Sequence, residues 1–259
     1  MSIKDFAIDY FSLEGKNAIV TGGNTGLGRT FALALATAGA NLVIPSIRED
    51  DGTTRKLIEN EGVKMEFMHK DITKPGAAKQ IVEGCIEAFG TLDILVNSAG
   101  LSKNVRDVLA FGRSEWDEML NVNLTAPFEM SYEAAKVMIP QRRGKIINIC
   151  SMYSFLGGQW SPAYASTKHG LVGFTRAYCD ELAQYNIQVN GIAPGYFATD
   201  LTLETRSDPT CNQRVIDHIP AGRWGEPLDL MGATVFLASK ASDYVNGHIL
   251  TVDGGYLVR

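Results

Sequence analysis

Apolar residues along this chain form short, unbroken runs that alternate with longer segments of helical composition. The runs predict seven strands, at residues 17–21, 41–44, 64–68, 93–96, 145–149, 187–192 and 249–252. Unbroken runs, unlike alternating ones, are typical of strands buried on both faces of a parallel sheet. Helical composition lies between them, for example at residues 29–38 and 75–89. A glycine at position 39 is a suitable end for the first of these helices.

Strand and helix patterns in regular alternation predict an α/β fold. We therefore expect residues 1–259 to form a single-domain, Rossmann-like doubly wound sheet of seven mainly parallel strands, with helices on both faces. Residues 196–225 have no clear place in the alternation. Long insertions after a strand are commonly functional, so this segment is predicted to be a substrate loop.

Composition narrows the class of protein. Hydrophobic residues make up 45% of the chain, enough for a substantial core, and the net charge of −5 comes without a basic stretch that would suit nucleic acid. No apolar stretch reaches the roughly 20 residues of a membrane span. The four cysteines contain no CxxC pair, and the four histidines are scattered. We therefore expect a cytoplasmic protein with free thiols, no membrane or nucleic-acid partner, and no metal.

A glycine-rich turn follows the first predicted strand. Thr21 to Gly28 read TGGNTGLG and lead directly into the first predicted helix. Glycine lets the backbone approach a phosphate closely, and a helix start offers unpaired N–H groups. A turn without any ligand is the competing interpretation. The position after the first strand favours a dinucleotide cofactor.

Tyrosine and lysine four residues apart share one face of a helix, where the ammonium group can lower the tyrosine pKa. The chain has two such pairs, Tyr132/Lys136 and Tyr164/Lys168. Ser151 directly follows the fifth strand, thirteen residues before Tyr164, whereas Met119 holds the equivalent place before Tyr132. Strand ends carry the chemistry in open α/β sheets. The sequence therefore predicts Ser151, Tyr164 and Lys168 as catalytic, and Tyr132/Lys136 as helix surface.

These motifs together resemble the short-chain dehydrogenase/reductase family over essentially the whole chain. The turn has the spacing TGxxxGxG, NSAG stands at residues 97–100 where the family has NNAG, and the chain ends with VDGG at 252–255. The resemblance implies an NAD(P)-dependent oxidoreductase in which Tyr164 is the general acid/base, Lys168 lowers its pKa and Ser151 holds the substrate oxygen. Asn123 would support a proton relay. Asn121 is a competing assignment, and a hydrogen bond at a helix kink is the alternative role for Asn123.

The same resemblance implies a set of cofactor-binding residues beside Tyr164 and Lys168. They are Gly22, Asn24, Thr25, Gly26, Leu27, Gly28, Ser46, Asp71, Ile72, Asn97, Ala99, Gly100, Pro194, Gly195 and Thr199. The choice of nicotinamide is not decided by the motif. Ser46 stands where an acid would select NAD, Arg48 could bind a 2′-phosphate, and the acids at 49–51 would oppose one. The closer resemblance described next favours NAD, with NADP as the alternative.

Residues 219–259 and the opening FSLEGK at 11–16 are similar to the sugar-acid branch of the family, the dehydrogenases of 2-dehydro-3-deoxy-D-gluconate and of gluconate. This implies a hexulosonate-type substrate, a role in uronate catabolism and a homotetramer. The predicted substrate-binding residues are Ser151, Tyr164, Gln159, Lys103 and Arg106, and Arg214 is a further candidate cation. A reductase of 3-oxoacyl thioesters or other ketones is the alternative enzyme. A cofactor sensor without catalysis is the alternative class, and the complete Ser-Tyr-Lys set argues against it.

Overall fold

The computed structural model describes residues 7–158 and 160–259, and its strands form one parallel sheet. The strands are β1 Asn17–Val20, β2 Asn41–Ser46, β3 Met65–His69, β4 Ile94–Asn97, β5 Gly144–Ile149, β6 Ile187–Pro194 and β7 Ile249–Val252. Their order across the sheet is β3-β2-β1-β4-β5-β6-β7, and every neighbouring pair is parallel. The predicted seven-stranded, doubly wound fold is confirmed.

Helices cover both faces of this sheet. They are α1 Gly26–Thr37, α2 Thr53–Glu59, α3 Ala77–Phe89, α4 Arg113–Leu120, α5 Ala126–Gln141, α6 Pro162–Leu182, α7 Leu203–Ser207, α8 Pro209–His218 and α9 Met231–Ala238. Successive residues of β1 point to opposite faces. Val20 packs in the core cluster of α1, α2 and α9, and Ile19 packs in the cluster of α3, α5 and α6. Burial on both faces explains why the strand sequences are unbroken apolar runs.

The strand order places a crevice at the carboxyl ends of β1 and β4. The chain runs outward from β1 to β3 and then returns to β4 on the other side of β1. Connections leave in opposite directions at such a switch point, so the loops after β1 and β4 flank an open crevice where ligands bind in this class of sheet. The glycine turn and the 98–100 segment are these two loops.

The strand bounds agree with the prediction to within two residues, and two other regions differ from it. α1 begins at Gly26, earlier than the predicted residue 29, because the second half of the glycine turn forms the first helical turn. The predicted substrate loop at 196–225 contains α7 and α8 and a small apolar cluster of Val215, Ile219 and Trp224. No helix within the described ranges is both long and apolar enough to cross a bilayer.

Candidate active site

The glycine turn leaves no room for a side chain at Gly28 and little at Gly22. A Cβ atom on Gly28 would lie 2.2 Å from the carbonyl oxygen of Gly22. Gly22 itself has a φ of +66°, a conformation that favours glycine. Thr25 is extended and adds no side-chain cap to α1. The turn therefore presents bare backbone and an uncapped helix start to the crevice, which suits a pyrophosphate.

Asn24 ties this turn to the loop after β2. Its buried side-chain amide donates to the carbonyl oxygens of Arg48 at 2.9 Å and Glu49 at 3.2 Å. The Oδ1 atoms of Asn24 and of the nearby Asp50 are buried, and neither has a hydrogen-bond partner among the described residues. Buried acceptors without donors are costly, so both atoms are suited to a ligand that donates hydrogen bonds.

The loop after β4 is held against the glycine turn by Thr21. Its Oγ1 accepts hydrogen bonds from the backbone N–H groups of Ser98 and Ala99, both at 3.0 Å. A Cβ on Gly22 would lie 3.3 Å from the Cα of Ala99, so these two loops touch. Sequence reasoning missed Thr21, although its place directly before Gly22 was a usable signal. Thr21 therefore holds together the two loops that flank the crevice.

Asn97 lies at the end of β4 but its side chain turns away from the crevice. Its amide group donates to Ser131 Oγ at 3.0 Å and to Asn148 Oδ1 at 2.8 Å, within the layer between β4, β5 and α5. The amide nitrogen therefore joins strands to a helix, while the Oδ1 of Asn97 is buried without a hydrogen-bond partner among the described residues. Gly100 follows the same strand and does face the site, because a Cβ there would lie 3.2 Å from Asn123 Oδ1.

Three further predicted cofactor residues lie at the ends of β2 and β3. Ser46 is buried, and its Oγ accepts a hydrogen bond from the Arg48 N–H at 3.1 Å. Asp71 accepts from the N–H of Thr73 at 2.9 Å and from its hydroxyl at 2.7 Å, and the hydroxyl bond in particular lowers the pKa of Asp71. Ile72 is buried in the core. Asp71 is thus an ionised acceptor at this sheet edge.

Ser151 and Tyr164 meet at the carboxyl end of β5. Ser151 is buried, and its Oγ accepts a hydrogen bond from the Tyr153 N–H at 3.2 Å. Tyr164 lies in the first turn of α6. Loss of hydration raises the pKa of Tyr164, and a hydrogen bond with Ser151 offsets part of this rise. The phenol is therefore protonated at neutral pH and in contact with the serine hydroxyl.

Lys168 lies one helical turn beyond Tyr164 and is buried. Its Nζ donates to the carbonyl oxygen of Ile149 at 2.7 Å and lies 5.5 Å from the centre of the Tyr164 ring. Burial lowers the pKa of Lys168 to about 8. Lys168 is not among the groups that shift the pKa of Tyr164, which burial raises. The ammonium is directed at a carbonyl, and desolvation dominates at the phenol.

The lowered pKa of Lys168 predicts a particular pH dependence of stability. Between about pH 8 and the ordinary lysine value of 10.5, an unfolded chain keeps the proton that the folded protein has lost. The unfolded state then binds more protons, so this lysine adds stability as pH rises through that window. We expect the unfolding free energy of the wild type, minus that of Lys168→Met, to increase there in denaturant titrations. If this difference in unfolding free energy stayed constant or fell with pH, the lowered pKa of the buried Lys168 would be contradicted.

Asn123 is positioned by one turn of π-helix, Asn121–Thr125, between α4 and α5. Its Oδ1 accepts from the Leu101 N–H at 2.9 Å, and its Nδ2 donates to the Leu101 carbonyl at 2.8 Å. Such π-turns are frequent at functional sites. The irregular turn and these hydrogen bonds place Asn123 beside Gly100, which is itself close to Lys168.

The ends of β6 and β7 form the opposite wall. Gly195 follows Pro194, and a Cβ on Gly195 would lie 2.7 Å from the Cα of Asp253. Thr199 begins a short turn at Asp200–Thr202, and its carbonyl accepts a hydrogen bond from Arg206 at 2.9 Å. These residues lie at the carboxyl edge of the sheet, as do Ser151 and the glycine turn.

The predicted substrate cations have different surroundings. Lys103 forms an ion pair with Glu118, so its charge is already neutralised. The guanidinium of Arg106 lies 5.2 Å from the centre of the Trp160 ring, just before α6. Gln159 lies outside the described residues. Arg214 is exposed on α8. Among the predicted substrate cations, Arg106 is the one that the structure brings near the start of α6.

The second Tyr-Lys pair is separate from this site. The Nζ of Lys136 donates to Glu133 at 2.8 Å and lies 4.4 Å from the centre of the exposed Tyr132 ring. In the part of the chain that the structure describes, the contacts of this pair are with Glu133 and Phe128 and not with the crevice. Within the described residues there is also no cluster of three or more histidine, cysteine, aspartate or glutamate side chains that could hold a metal.

Comparison with known proteins identifies the family. The model for short chain dehydrogenases matches residues 16–210. The chain belongs to this family. It is 67% identical to an uncharacterized oxidoreductase of Escherichia coli K12, covering 100% of this chain and 98% of the relative. It is 47% identical to the 2-dehydro-3-deoxy-D-gluconate 5-dehydrogenase of the same strain, covering 96% and 98%.

A solved structure shows the same arrangement of the chain. The gluconate 5-dehydrogenase of Burkholderia cenocepacia J2315, in complex with NADP and tartrate, superimposes with a TM-score of 0.92 at 38% identity, covering 98% of this chain and all of that one. The predicted kinship with the sugar-acid branch is confirmed by these relatives. The protein is a short-chain oxidoreductase, and its family uses NAD(P).

Proposed function

We propose that this protein interconverts a hydroxyl and a carbonyl group on a hexulosonate-type sugar acid, using a nicotinamide cofactor. The observation that carries the proposal is the placement of Ser151 at the end of β5 beside Tyr164 in the first turn of α6, with Lys168 one helical turn behind. Relatives that act on 2-dehydro-3-deoxy-D-gluconate and gluconate at 38–47% identity support the substrate class. A role in uronate catabolism would follow from that substrate.

The crevice fits a dinucleotide. Gly28 leaves the backbone bare where a pyrophosphate would lie, and the unpaired acceptors of Asn24 and Asp50 suit the ribose hydroxyls of the same ligand. Gly22, Thr25, Gly26, Leu27, Ala99, Gly100, Pro194, Gly195 and Thr199 line the surrounding loops and are proposed as contacts. When bound, the cofactor supplies or accepts the hydride.

Four side chains would bind the substrate oxygen, transfer the proton and stabilise the resulting charge. Ser151 would donate a hydrogen bond to the substrate oxygen and stabilise the charge that develops there. Tyr164, protonated at neutral pH, would give its proton to that oxygen during reduction and take it back during oxidation. Lys168 would stabilise the resulting phenolate once the ammonium turns from the Ile149 carbonyl. Asn123 would hold the loop beside Lys168 through Leu101.

The substrate class is tested by measuring oxidation of NADH with a 4-deoxy-5-hexulosonate-type diketo acid. A 3-oxoacyl thioester serves as the alternative substrate, and NADPH is run beside NADH. We expect turnover on the sugar acid at a kcat/KM at least about a hundred times that on the thioester, because a site built for hydroxyl groups rejects analogues without them. Turnover on the thioester alone would overturn the sugar-acid assignment and leave the oxidoreductase assignment intact.

We propose NAD as the preferred cofactor. The free Oδ1 atoms of Asn24 and Asp50 need donors, and ribose hydroxyls supply them, whereas a 2′-phosphate brings further acceptors and negative charge. We expect Asp50→Asn to weaken NADH binding by about fivefold in calorimetry and to reduce the preference over NADPH. Asp51→Asn removes the same charge one position later, at an exposed helix start, and should change little. Equal effects of the two variants would contradict a specific contact at Asp50.

A homotetramer is also proposed, from the resemblance to the family. One exposed face of α5 and α6 carries a row of aromatic side chains in mutual contact: Phe128, Tyr132, Phe174 and Tyr178. An apolar face of this kind suits burial against a second copy. Light scattering should give the mass of four chains, and a monomer would contradict the proposal.

A further inference from the structure

Tyr153 connects Ser151 and Tyr164 to the opposite wall of the crevice, at the end of β6. It lies in the single turn Met152–Ser154 that follows Ser151, and its N–H donates to the Ser151 Oγ. Its ring packs edge-on against the ring of Tyr164, with centres 6.0 Å apart and planes at 78°. Tyr153 is thus in contact with both residues that would hold the substrate oxygen.

The hydroxyl of Tyr153 faces a second tyrosine on the opposite wall. Tyr153 Oη lies 3.3 Å from Tyr196 Oη, and Tyr196 belongs to the segment after β6. The Tyr196 ring is fixed edge-on between Trp224 at 5.4 Å and Tyr256 at 5.3 Å. Trp224 is held in turn by a hydrogen bond from its Nε1 to Asn212 Oδ1 at 2.7 Å. The position of the Tyr196 hydroxyl is therefore set by packing.

The hydroxyl groups of this tyrosine pair can form further hydrogen bonds. The Tyr153 and Tyr196 hydroxyls share one hydrogen bond, and the Tyr256 ring packs against Tyr196. Each phenol carries one proton and can also accept. One proton and several lone pairs remain, and burial raises the pKa of Tyr196, which keeps the group neutral. A neutral group that can both donate and accept a hydrogen bond suits a substrate hydroxyl. A methylene group at the same place could form neither hydrogen bond.

We propose that the Tyr153–Tyr196 hydroxyl pair binds the substrate hydroxyl on the carbon next to the reacting one. The pair then selects polyhydroxylated acids over ketones flanked by methylene groups, and the contact across the pocket joins the 196–225 segment to the catalytic turn. This subsite rests on the proposed sugar-acid function, because only such a substrate carries the adjacent hydroxyl.

The test compares Tyr153→Phe and Tyr196→Phe on two substrates, the 4-deoxy-5-hexulosonate-type keto acid, whose only hydroxyl next to the reacting carbon is the terminal one, and its analogue without that terminal hydroxyl. Each variant should lower kcat/KM for the hydroxylated acid about tenfold, mainly through KM, and should change that for the analogue by less than about twofold. The double variant should lose less than the product of the single losses, because the two hydroxyls act as one unit.

Tyr244→Phe provides the matched control, because Tyr244 is fully exposed and the same atom is removed. Equal losses on both substrates, or no loss on either, would overturn the subsite while leaving the proposed function standing. A wild type that reduces neither keto acid but turns over a thioester would instead overturn the proposed function, and the subsite with it.

Discussion

Replacing Tyr164 with phenylalanine is expected to lower kcat about a thousandfold. The substitution removes only the phenolic oxygen, which is the atom in contact with Ser151 and the proposed proton donor. A positioned general acid typically contributes between about a hundredfold and ten-thousandfold. The ring contact with Tyr153 does not need the hydroxyl, so the fold should be kept, and the affinity for NADH should fall far less than kcat because the glycine turn is unchanged. Steady-state kinetics and calorimetric titration with NADH measure the two effects separately.

Tyr132→Phe is the matched control for this experiment. Tyr132 also precedes a lysine by four residues, but it lies on the exposed face of α5 with its lysine bound to Glu133. Turnover by this variant should stay within about twofold of the wild type. If Tyr164→Phe turned over substrate as fast as the parent, the assignment of Tyr164 as the acid/base would be wrong.

Gly28→Ala is expected to weaken NADH binding about a hundredfold and to lower the unfolding free energy by about 1–3 kcal/mol. The new methyl carbon would stand 2.2 Å from the carbonyl oxygen of Gly22, so the turn must open. An opened turn moves the backbone N–H groups that the pyrophosphate needs, and a hundredfold loss corresponds to about 2.7 kcal/mol. Calorimetric titration and denaturant unfolding measure these effects.

The control is Gly232→Ala in α9, where a Cβ would meet no atom within 4 Å. Alanine there should be neutral or should stabilise the protein by up to about 1 kcal/mol, because it restricts the unfolded chain. Unchanged NADH binding by Gly28→Ala, or similar effects of the two substitutions, would show that the close approach of Gly28 and Gly22 is not needed for the cofactor.

Much of the fold could be predicted from local sequence alone. Strands buried on both faces, such as β1 and β5, must be apolar throughout, and this requirement leaves an unambiguous pattern. Glycine positions at the ends of strands and helices marked the turns between them. The start of α1 was harder to predict from the sequence, because this helix begins within a glycine turn whose composition does not suggest a helix.

The candidate site was partly predictable for a different reason. Ser151, Tyr164 and Lys168 come from neighbouring parts of the chain, β5 and the start of α6, so spacing alone could connect them. Asn97 was harder to interpret, because sequence does not show which way a side chain turns at a strand end. Its amide nitrogen donates hydrogen bonds to Ser131 and Asn148 within the core.

The sequence by itself determined the parallel α/β fold, the family and the residues that carry the proposed chemistry, since each leaves a local pattern. Only the tertiary structure decided the electrostatics and the long-range contacts. Burial, and not a neighbouring charge, dominates the pKa of both Tyr164 and Lys168. The hydroxyl contact between Tyr153 and Tyr196 joins residues 43 positions apart. Such contacts depend on how β5 and β6 lie side by side, which no short stretch of sequence records.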